Sequence, residues 1–185
     1  MVPTHRISGF ITVALLAMGT TACTPAPTST PTSSPTATPS PNPSASTASP
    51  EDRALVNAKE AVVTLWAVLD RLTNDPQAPI QDLDPVASGQ VLTKFQENLT
   101  TYRAQGWRGS GTAIVENPVA VPAKPDAQGR PTWSVTACVD RSHTTLVDKA
   151  GKSVQMPPYR ISHRSTVVRI ADRYEVDQDE ATGTC

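Results

Sequence analysis

Residues 132–140, TWSVTACVD, decide the fold because apolar and polar side chains alternate through the whole stretch. Alternation with a period of two places one set of side chains on each face of an extended chain. The apolar face carries Trp133, Val135, Ala137 and Val139, and the polar face carries Thr132, Ser134, Thr136 and Cys138. This pattern predicts a β-strand that buries one face against a core.

Shorter segments with strand character surround this stretch. They are Thr112–Glu116, Val119–Val121, Thr144–Asp148, Arg160–Ile170 and Tyr174–Asp177. Asn117-Pro118 separates the first two, and residues 126–130, DAQGR, have the composition of a turn. The chain after Gly106 therefore predicts a run of short antiparallel strands.

Two helices are predicted before the strands. Ser49-Pro50 has the pattern of an N-cap followed by a first helical residue, and Asp75-Pro76 ends the helix. Its apolar stripe is Leu55, Ala58, Val62, Leu65, Leu69 and Leu72, with Trp66 beside it. Residues 82–87 predict one helical turn, and residues 88–105 predict a second helix ending at Gly106.

Helices followed by antiparallel strands indicate an α+β fold with the helices packed on one face of the sheet. Over residues 52–180 this order resembles the NTF2-like, or SnoaL-like, fold, which implies a cone formed by a strongly bent antiparallel sheet. A closer resemblance is to cell-wall lipoproteins of high-GC Gram-positive bacteria and their phages. It rests on TLWAVLDRL (64–72), YRAQGWRGSGT (102–112), ACVDRS (137–142) and the terminal Cys185.

Residues 1–22 have the three parts of an export signal. His5 and Arg6 form a weakly positive start, and Ile7–Met18 is an uncharged, mostly apolar stretch of 12 residues. A membrane-spanning helix needs roughly 20 apolar residues, so this stretch fits a signal core better than a span.

Small residues, GTTA, then precede Cys23, and here the sequence resembles bacterial lipoprotein signals. That resemblance implies cleavage before Cys23, whose sulfur carries a diacylglyceryl group, and an anchor in the membrane. Thr20 departs from the pattern, because leucine is most common three residues before the cysteine. The alternative is an ordinary secretory signal cleaved near Ala22, which leaves Cys23 as a free thiol.

Residues 24–50 contain 8 Pro, 14 Ser/Thr, 4 Ala and 1 Asn, and no large apolar side chain. Such a segment has nothing to bury that would offset the entropy of ordering it. An extended polyproline II chain rises about 3.1 Å per residue, so this stretch reaches about 80 Å. Together with Cys23 it predicts a disordered, lipidated stalk over residues 23–50 that carries a domain spanning residues 51–185.

The charges give no reason to expect nucleic acid as a partner. Arg6 is the one Lys, Arg, Asp or Glu before Glu51, so the remaining chain has 15 basic (16 − 1) and 17 acidic residues. Binding to phosphates requires a basic field, and a net charge of about −2 does not supply one.

Cys138 and Cys185 are the two cysteines of the predicted exported domain, and an oxidising compartment favours a disulfide between them. This bond would pin residues 177–185, DQDEATGTC, across the strand face that carries Ser134 and Thr136. A nucleophilic Cys138 with His143 as its base is the functional alternative. No two histidines have the spacing of a metal site, so the sequence predicts neither a metal nor a cofactor.

Enzymes of the NTF2-like superfamily pair a carboxylate base with a tyrosine or a protonated acid in the cone. The corresponding candidates are Asp70, Tyr102, Asp140, Tyr159, His163 and Tyr174. Each also has a structural interpretation: an exposed or paired carboxylate, a core tyrosine, or a strand histidine near Arg160 and Arg164. Trp66, Trp107 and Trp133 are predicted to meet near the helix–sheet junction, as a core group or, with Arg103 and Arg108, as a recognition surface.

The function favoured by these patterns is non-enzymatic recognition or ligand binding at the cell envelope by a membrane-anchored lipoprotein. The resemblance is compatible with three kinds of partner: an envelope protein, a wall polymer or a small apolar ligand. For a phage-derived form it implies a role in superinfection exclusion. Residues for such a pocket or surface are Trp66, Tyr102, Trp107, Trp133 and His163. A small isomerase or dehydratase, and a purely structural envelope protein, are the alternatives.

Overall fold

The first helix begins at the predicted cap. The computed structural model describes residues 49–155 and 157–185, and in it α1 spans Pro50–Asn74. The Ser49 hydroxyl accepts a 3.0 Å hydrogen bond from the Asp52 N–H, and the Asp52 carboxylate accepts one of 3.2 Å from the Ser49 N–H. This reciprocal pair satisfies two donors that a helix start would otherwise leave open.

The apolar stripe of α1 forms one half of the core. Ala58, Val62, Leu65, Leu69 and Leu72 are all buried, whereas Val56 and Val63 on the opposite face are exposed. Burying a leucine side chain contributes about 2–3 kcal/mol, so the stripe decides how α1 is oriented on the sheet. The helix packs against all four strands of the larger sheet.

The second helix, α2, spans Gly89–Gln105 and ends at Gly106, as the sequence predicts. Gly106 has a φ of 68°, and the Trp107 N–H bonds to the Tyr102 carbonyl at 2.9 Å, which closes the last turn. A 3₁₀ turn at Ile80–Leu83 precedes α2, slightly earlier than the turn predicted over residues 82–87.

Six strands form two antiparallel sheets. Strands β2 (Ile114–Ala123), β3 (Thr132–Asp140), β5 (Arg160–Ile170) and β6 (Arg173–Thr184) form a sheet in the order β2-β3-β5-β6. Strands β1 (Arg108–Ser110) and β4 (Thr145–Val147) form a separate pair. The α+β class is confirmed, and the bounds of β3 and β5 are those predicted.

Two strand predictions need correction. The segments Thr112–Glu116 and Val119–Val121 form one strand, because the register shift between Glu116 and Val119 absorbs Asn117, whose φ is 49°. A proline is tolerated there because β2 lies at the edge of the sheet. Strand β1 has no alternating pattern of its own and was not predicted.

The chain end is also different from the prediction. Residues 177–184 continue β6, which pairs with β5 up to Ile161–Thr184, so they do not lie across the polar face of β3. The prediction of a crossing tail is therefore wrong. The predicted disulfide is present: Cys138 in β3 is joined to Cys185, with 6.0 Å between their Cα atoms. Because β5 lies between β3 and β6, the bond links β3 to the residue that follows a strand that is not its neighbour.

The two edges of the larger sheet differ. Beside β6, Ala87 forms a parallel bridge with Val176, so the segment before α2 covers part of that edge. Along β2, Val119 is 57% exposed and Val121 is 52% exposed. This edge has no neighbouring strand within the described ranges.

The predicted signal peptide, Cys23 and nearly all of the predicted stalk lie outside the described residues. Within residues 49–155 and 157–185, neither helix combines the length and the apolar character needed to cross a bilayer.

Candidate functional site

A cavity of about 130 Å³ lies between α1, α2 and the β1–β4 pair. One wall is apolar and consists of Trp66, Leu69, Phe95, Leu99 and Tyr102. The polar part of the lining includes Asp70, Asn98, Arg141, Thr145 and Gln155. The cavity thus combines an aromatic wall with two groups of opposite charge.

The helical period explains the apolar wall. Trp66 and Leu69 on α1, and Phe95, Leu99 and Tyr102 on α2, recur at spacings of three and four residues, so each helix directs one stripe toward the cavity. The predicted candidates Trp66, Asp70 and Tyr102 are therefore brought together in one lining.

Asp70 is the carboxylate of this cavity. Its Oδ2 accepts a 2.7 Å hydrogen bond from the backbone N–H of Ala113. Burial raises the pKa of Asp70, and neither the Ala113 hydrogen bond nor the charge of Arg141, which both lower it, cancels that effect. Asp70 is therefore a half-buried acid, not the solvated helix-end carboxylate of the structural interpretation.

Arg141 supplies the positive charge. Its backbone is fixed: the N–H donates to the Tyr159 carbonyl at 2.8 Å, and the carbonyl accepts from Thr144 Oγ1 at 2.9 Å and Gln155 Nε2 at 3.2 Å. Its guanidinium forms no hydrogen bond or ion pair with the part of the chain that the structure describes. Its positive charge lowers the pKa of Asp70 although the two side chains form no ion pair.

Trp66 carries a fully buried N–H donor that has no partner among the described residues. The residue is 8% exposed, and its Nε1–H is buried with no acceptor among the described residues. The indole ring contacts Phe95, with 6.3 Å between centroids, and His163, with 5.2 Å, both edge-on. Because buried N–H groups are nearly always paired, this indole is an unusual feature of the cavity wall.

His163 lies behind Trp66, outside the cavity lining. Its Nδ1 is 2.8 Å from Asp179 Oδ2, and Ser165 Oγ donates to Asp179 Oδ1 at 2.7 Å. The serine hydroxyl bonds to the carboxylate and not to the imidazole, so the three residues lack the order of a nucleophilic triad. The Arg160 guanidinium, on the same strand, donates to Glu116 and Asp140.

Asp140 belongs to a separate ion-pair network with Arg160 and Glu116. The backbone N–H of Ser142 donates to its Oδ1 at 2.8 Å, and Arg160 donates to its Oδ2 at 2.6 Å. The Ser142 hydrogen bonds, followed by Arg160, lower the pKa of Asp140. An acid held in this way is a structural anion that joins β3 to β5.

The three tryptophans do not meet. Trp107 packs on Tyr102 with 5.3 Å between centroids, and Trp133 packs on Tyr174 with 5.1 Å. No two of the indoles are in ring contact within the described ranges. The prediction of a shared cluster is wrong because β3 and the turn after α2 hold Trp133 and Trp107 in different places.

Trp107 lines a separate depression with Arg103 and Arg108, which is the pair of arginines expected beside it. The remaining tyrosine candidate, Tyr159, is 40% exposed and lies outside the cavity lining. No group of three His, Cys, Asp or Glu side chains with metal-ligand geometry occurs in residues 49–155 and 157–185.

Comparisons with known proteins address the fold. No family model matches the chain, and no curated protein matches it. The chain is similar to a crystal structure of the intermembrane space region of the chloroplast protein ARC6, with a TM-score of 0.53 and 13% identity. That match covers 70% of this chain and 97% of the other. A periplasmic fragment of TraM matches with a TM-score of 0.45 and 17% identity, over 68% of this chain and 98% of that fragment.

Proposed function

We propose that this chain is an extracytoplasmic lipoprotein whose domain recognises a partner non-enzymatically, through the cavity between α1 and α2. Cys23 carries the lipid anchor, and residues 24–50 form a stalk that holds the domain away from the outer face of the cytoplasmic membrane. The signal-like N-terminus and the disulfide between Cys138 and Cys185 both support an oxidising location. The NTF2-like cone is part of this proposal, supported by helices that precede an antiparallel sheet.

The size of the cavity favours a recognition role. An engineered apolar cavity of about 150 Å³ holds benzene, whereas pockets for whole small molecules measure about 300–1,000 Å³. At about 130 Å³ the cavity fits one small molecule or a single group of a larger partner. An envelope protein, a wall polymer or a small apolar ligand can present such a group.

A small isomerase or dehydratase is the second candidate. Asp70 and Tyr102 line the same cavity, and burial raises the pKa of Asp70, as a general base requires. The volume is too small for a polycyclic substrate. Turnover of a small ketone or hydroxy acid that disappears in Asp70→Asn would favour the enzyme over the recognition module.

The anchor is tested by fractionating cells that express the wild-type chain or Cys23→Ala. We expect wild-type protein in the membrane fraction with an acyl mass on the fragment that begins at Cys23, and the variant in the soluble exported fraction. Equal membrane association of the two proteins would contradict the lipid anchor.

The cavity is tested by native mass spectrometry of protein extracted from its own membrane. Asn98 lines the cavity, and Asn98→Phe fills it, whereas Thr101→Phe changes an exposed residue on the same helix. We expect a bound species or a crosslinked partner in the wild type and Thr101→Phe, and its loss in Asn98→Phe. If all three proteins retain the bound species or partner, recognition does not take place in the cavity.

A further inference from the structure

Two charges of opposite sign line the cavity without forming a pair. No ion pair within 4.0 Å joins Asp70 to Arg141, although both belong to the lining. Asp70 uses Oδ2 for the Ala113 N–H, and an ionised carboxylate has capacity for further donors. The Arg141 guanidinium has five donors and no hydrogen-bonded partner within the described ranges.

Neutral donors also belong to the lining. The Asn98 amide and the Tyr102 hydroxyl form no hydrogen bond within the described ranges. A ligand carboxylate would supply acceptors to this group of donors, and the planar guanidinium matches it in a bidentate manner.

We propose that the cavity binds a free α-amino acid with a short apolar side chain, an inference that rests on the proposed recognition function. The ligand carboxylate binds Arg141, and its ammonium binds Asp70. The apolar side chain packs against Leu69, Phe95 and Leu99. An α-amino acid carries both charges on groups bonded to one carbon atom, and a cavity of about 130 Å³ is large enough for little more.

Each part of the ligand is tested separately by titration calorimetry on the full-length protein in detergent at pH 7.5. The probes are leucine, 4-methylpentanoate, which lacks the ammonium, and 3-methylbutylamine, which lacks the carboxylate. Alanine and valine test the size of the side chain. We expect at least one of the three amino acids to bind, and leucine, if it fits, to bind at least tenfold more tightly than either analogue.

Matched variants locate the binding. We expect Arg141→Gln to weaken binding of the best amino acid at least tenfold, because the carboxylate loses its charged partner. Arg164→Gln removes an exposed arginine outside the cavity lining and should leave affinity unchanged. Equal losses in the two variants would indicate a general charge effect and overturn the assignment of Arg141.

The other outcomes separate this inference from the proposed function. If 4-methylpentanoate binds as tightly as leucine, the ammonium subsite at Asp70 is wrong. If no amino acid binds while Asn98→Phe still abolishes retention of a native partner, recognition stands and the amino acid is wrong. If no probe binds and Asn98→Phe changes nothing in the native extract, both proposals fail.

Discussion

The carboxylate of Asp70 accepts a 2.7 Å hydrogen bond from the backbone N–H of Ala113, and this contact joins the C-terminal end of α1 to the residue just before β2. The same contact holds a partly desolvated acid at the edge of the cavity, where burial raises its pKa. A raised carboxyl pKa means that the folded protein binds the proton more tightly than the unfolded chain does.

Asp70→Asn should therefore change stability in a pH-dependent way. The contribution of Asp70 is present below the unfolded pKa of about 3.9 and is lost as the pH rises through the higher folded value. Asparagine keeps an oxygen for Ala113 and carries no charge, so we expect its Tm relative to wild type to be higher at pH 7 than at pH 3. Thermal unfolding at both pH values measures this.

Asp172→Asn is the control, because the Asp172 side chain is fully exposed and its 3.6 Å ion pair with Arg169 is a surface pair that contributes little to stability. Its Tm relative to wild type should be the same at both pH values. If the difference in Tm between Asp70→Asn and wild type is the same at pH 3 and pH 7, the pKa of Asp70 is not raised.

The disulfide should be a major source of stability. Cys138 and Cys185 are 47 residues apart, and the chain-entropy model gives about 4 kcal/mol for a loop of this length. We expect the double variant Cys138→Ser/Cys185→Ser to lose about that amount in urea unfolding. Reduced wild type should unfold at the same urea concentration as the double variant, and an unchanged midpoint under reductant would contradict the bond.

Two substitutions on opposite faces of α1 test the packing of the helix. Leu65 is 0% exposed, and Leu65→Ala should cost about 3 kcal/mol through lost burial and the cavity left behind. Val63 is 43% exposed, and Val63→Ala should change stability by less than about 0.5 kcal/mol. Comparable losses measured by chemical denaturation would mean that the helix is rotated relative to the sheet.

Two glycines in turns separate backbone strain from steric contact. Gly111 has a φ of +87°, and a Cβ there would meet the backbone carbonyl of His143, whereas Gly129 has a φ of +75° and open space around it. Gly129→Ala should cost about 1–2 kcal/mol through strain alone. Gly111→Ala should cost about 1–3 kcal/mol more, because backbone atoms must also move.

Urea unfolding of the two glycine variants gives the comparison directly. The Gly111 carbonyl also accepts a 2.8 Å hydrogen bond from Asn74, another residue of the cavity lining. Gly111→Ala should consequently disturb ligand retention, and Gly129→Ala should not. Equal stability losses would show that the loop containing His143 adjusts freely.

Local signals explain why the helices and the central strands could be predicted. The Ser49 cap, the Gly106 end and the alternation in residues 132–140 each depend on a few neighbouring residues. They can therefore be predicted without knowledge of the tertiary fold. Strand β6 was predicted too short because residues 177–184 are mostly polar and exposed, and therefore lack the alternation that marks a half-buried strand.

The cavity could be predicted only in part. Trp66, Asp70 and Tyr102 lie on helical stripes that the sequence reveals, but Arg141 follows β3 and reaches the cavity through the tertiary fold. The pairing of His163 with Asp179 depends on the register of β5 and β6, which contains two shifts. The positions of these shifts depend on how the two strands pair, which the alternation within either strand does not show.

The open edge of β2 affects how readily another molecule can add a strand to the sheet. Exposed valines on a free strand edge would ordinarily template the addition of another chain. Strand β2 carries Pro118 and Pro122, which have no N–H, and the irregularity at Asn117 bends its line of backbone donors. The free edge of β2 therefore offers a neighbouring molecule an interrupted row of donors for strand addition.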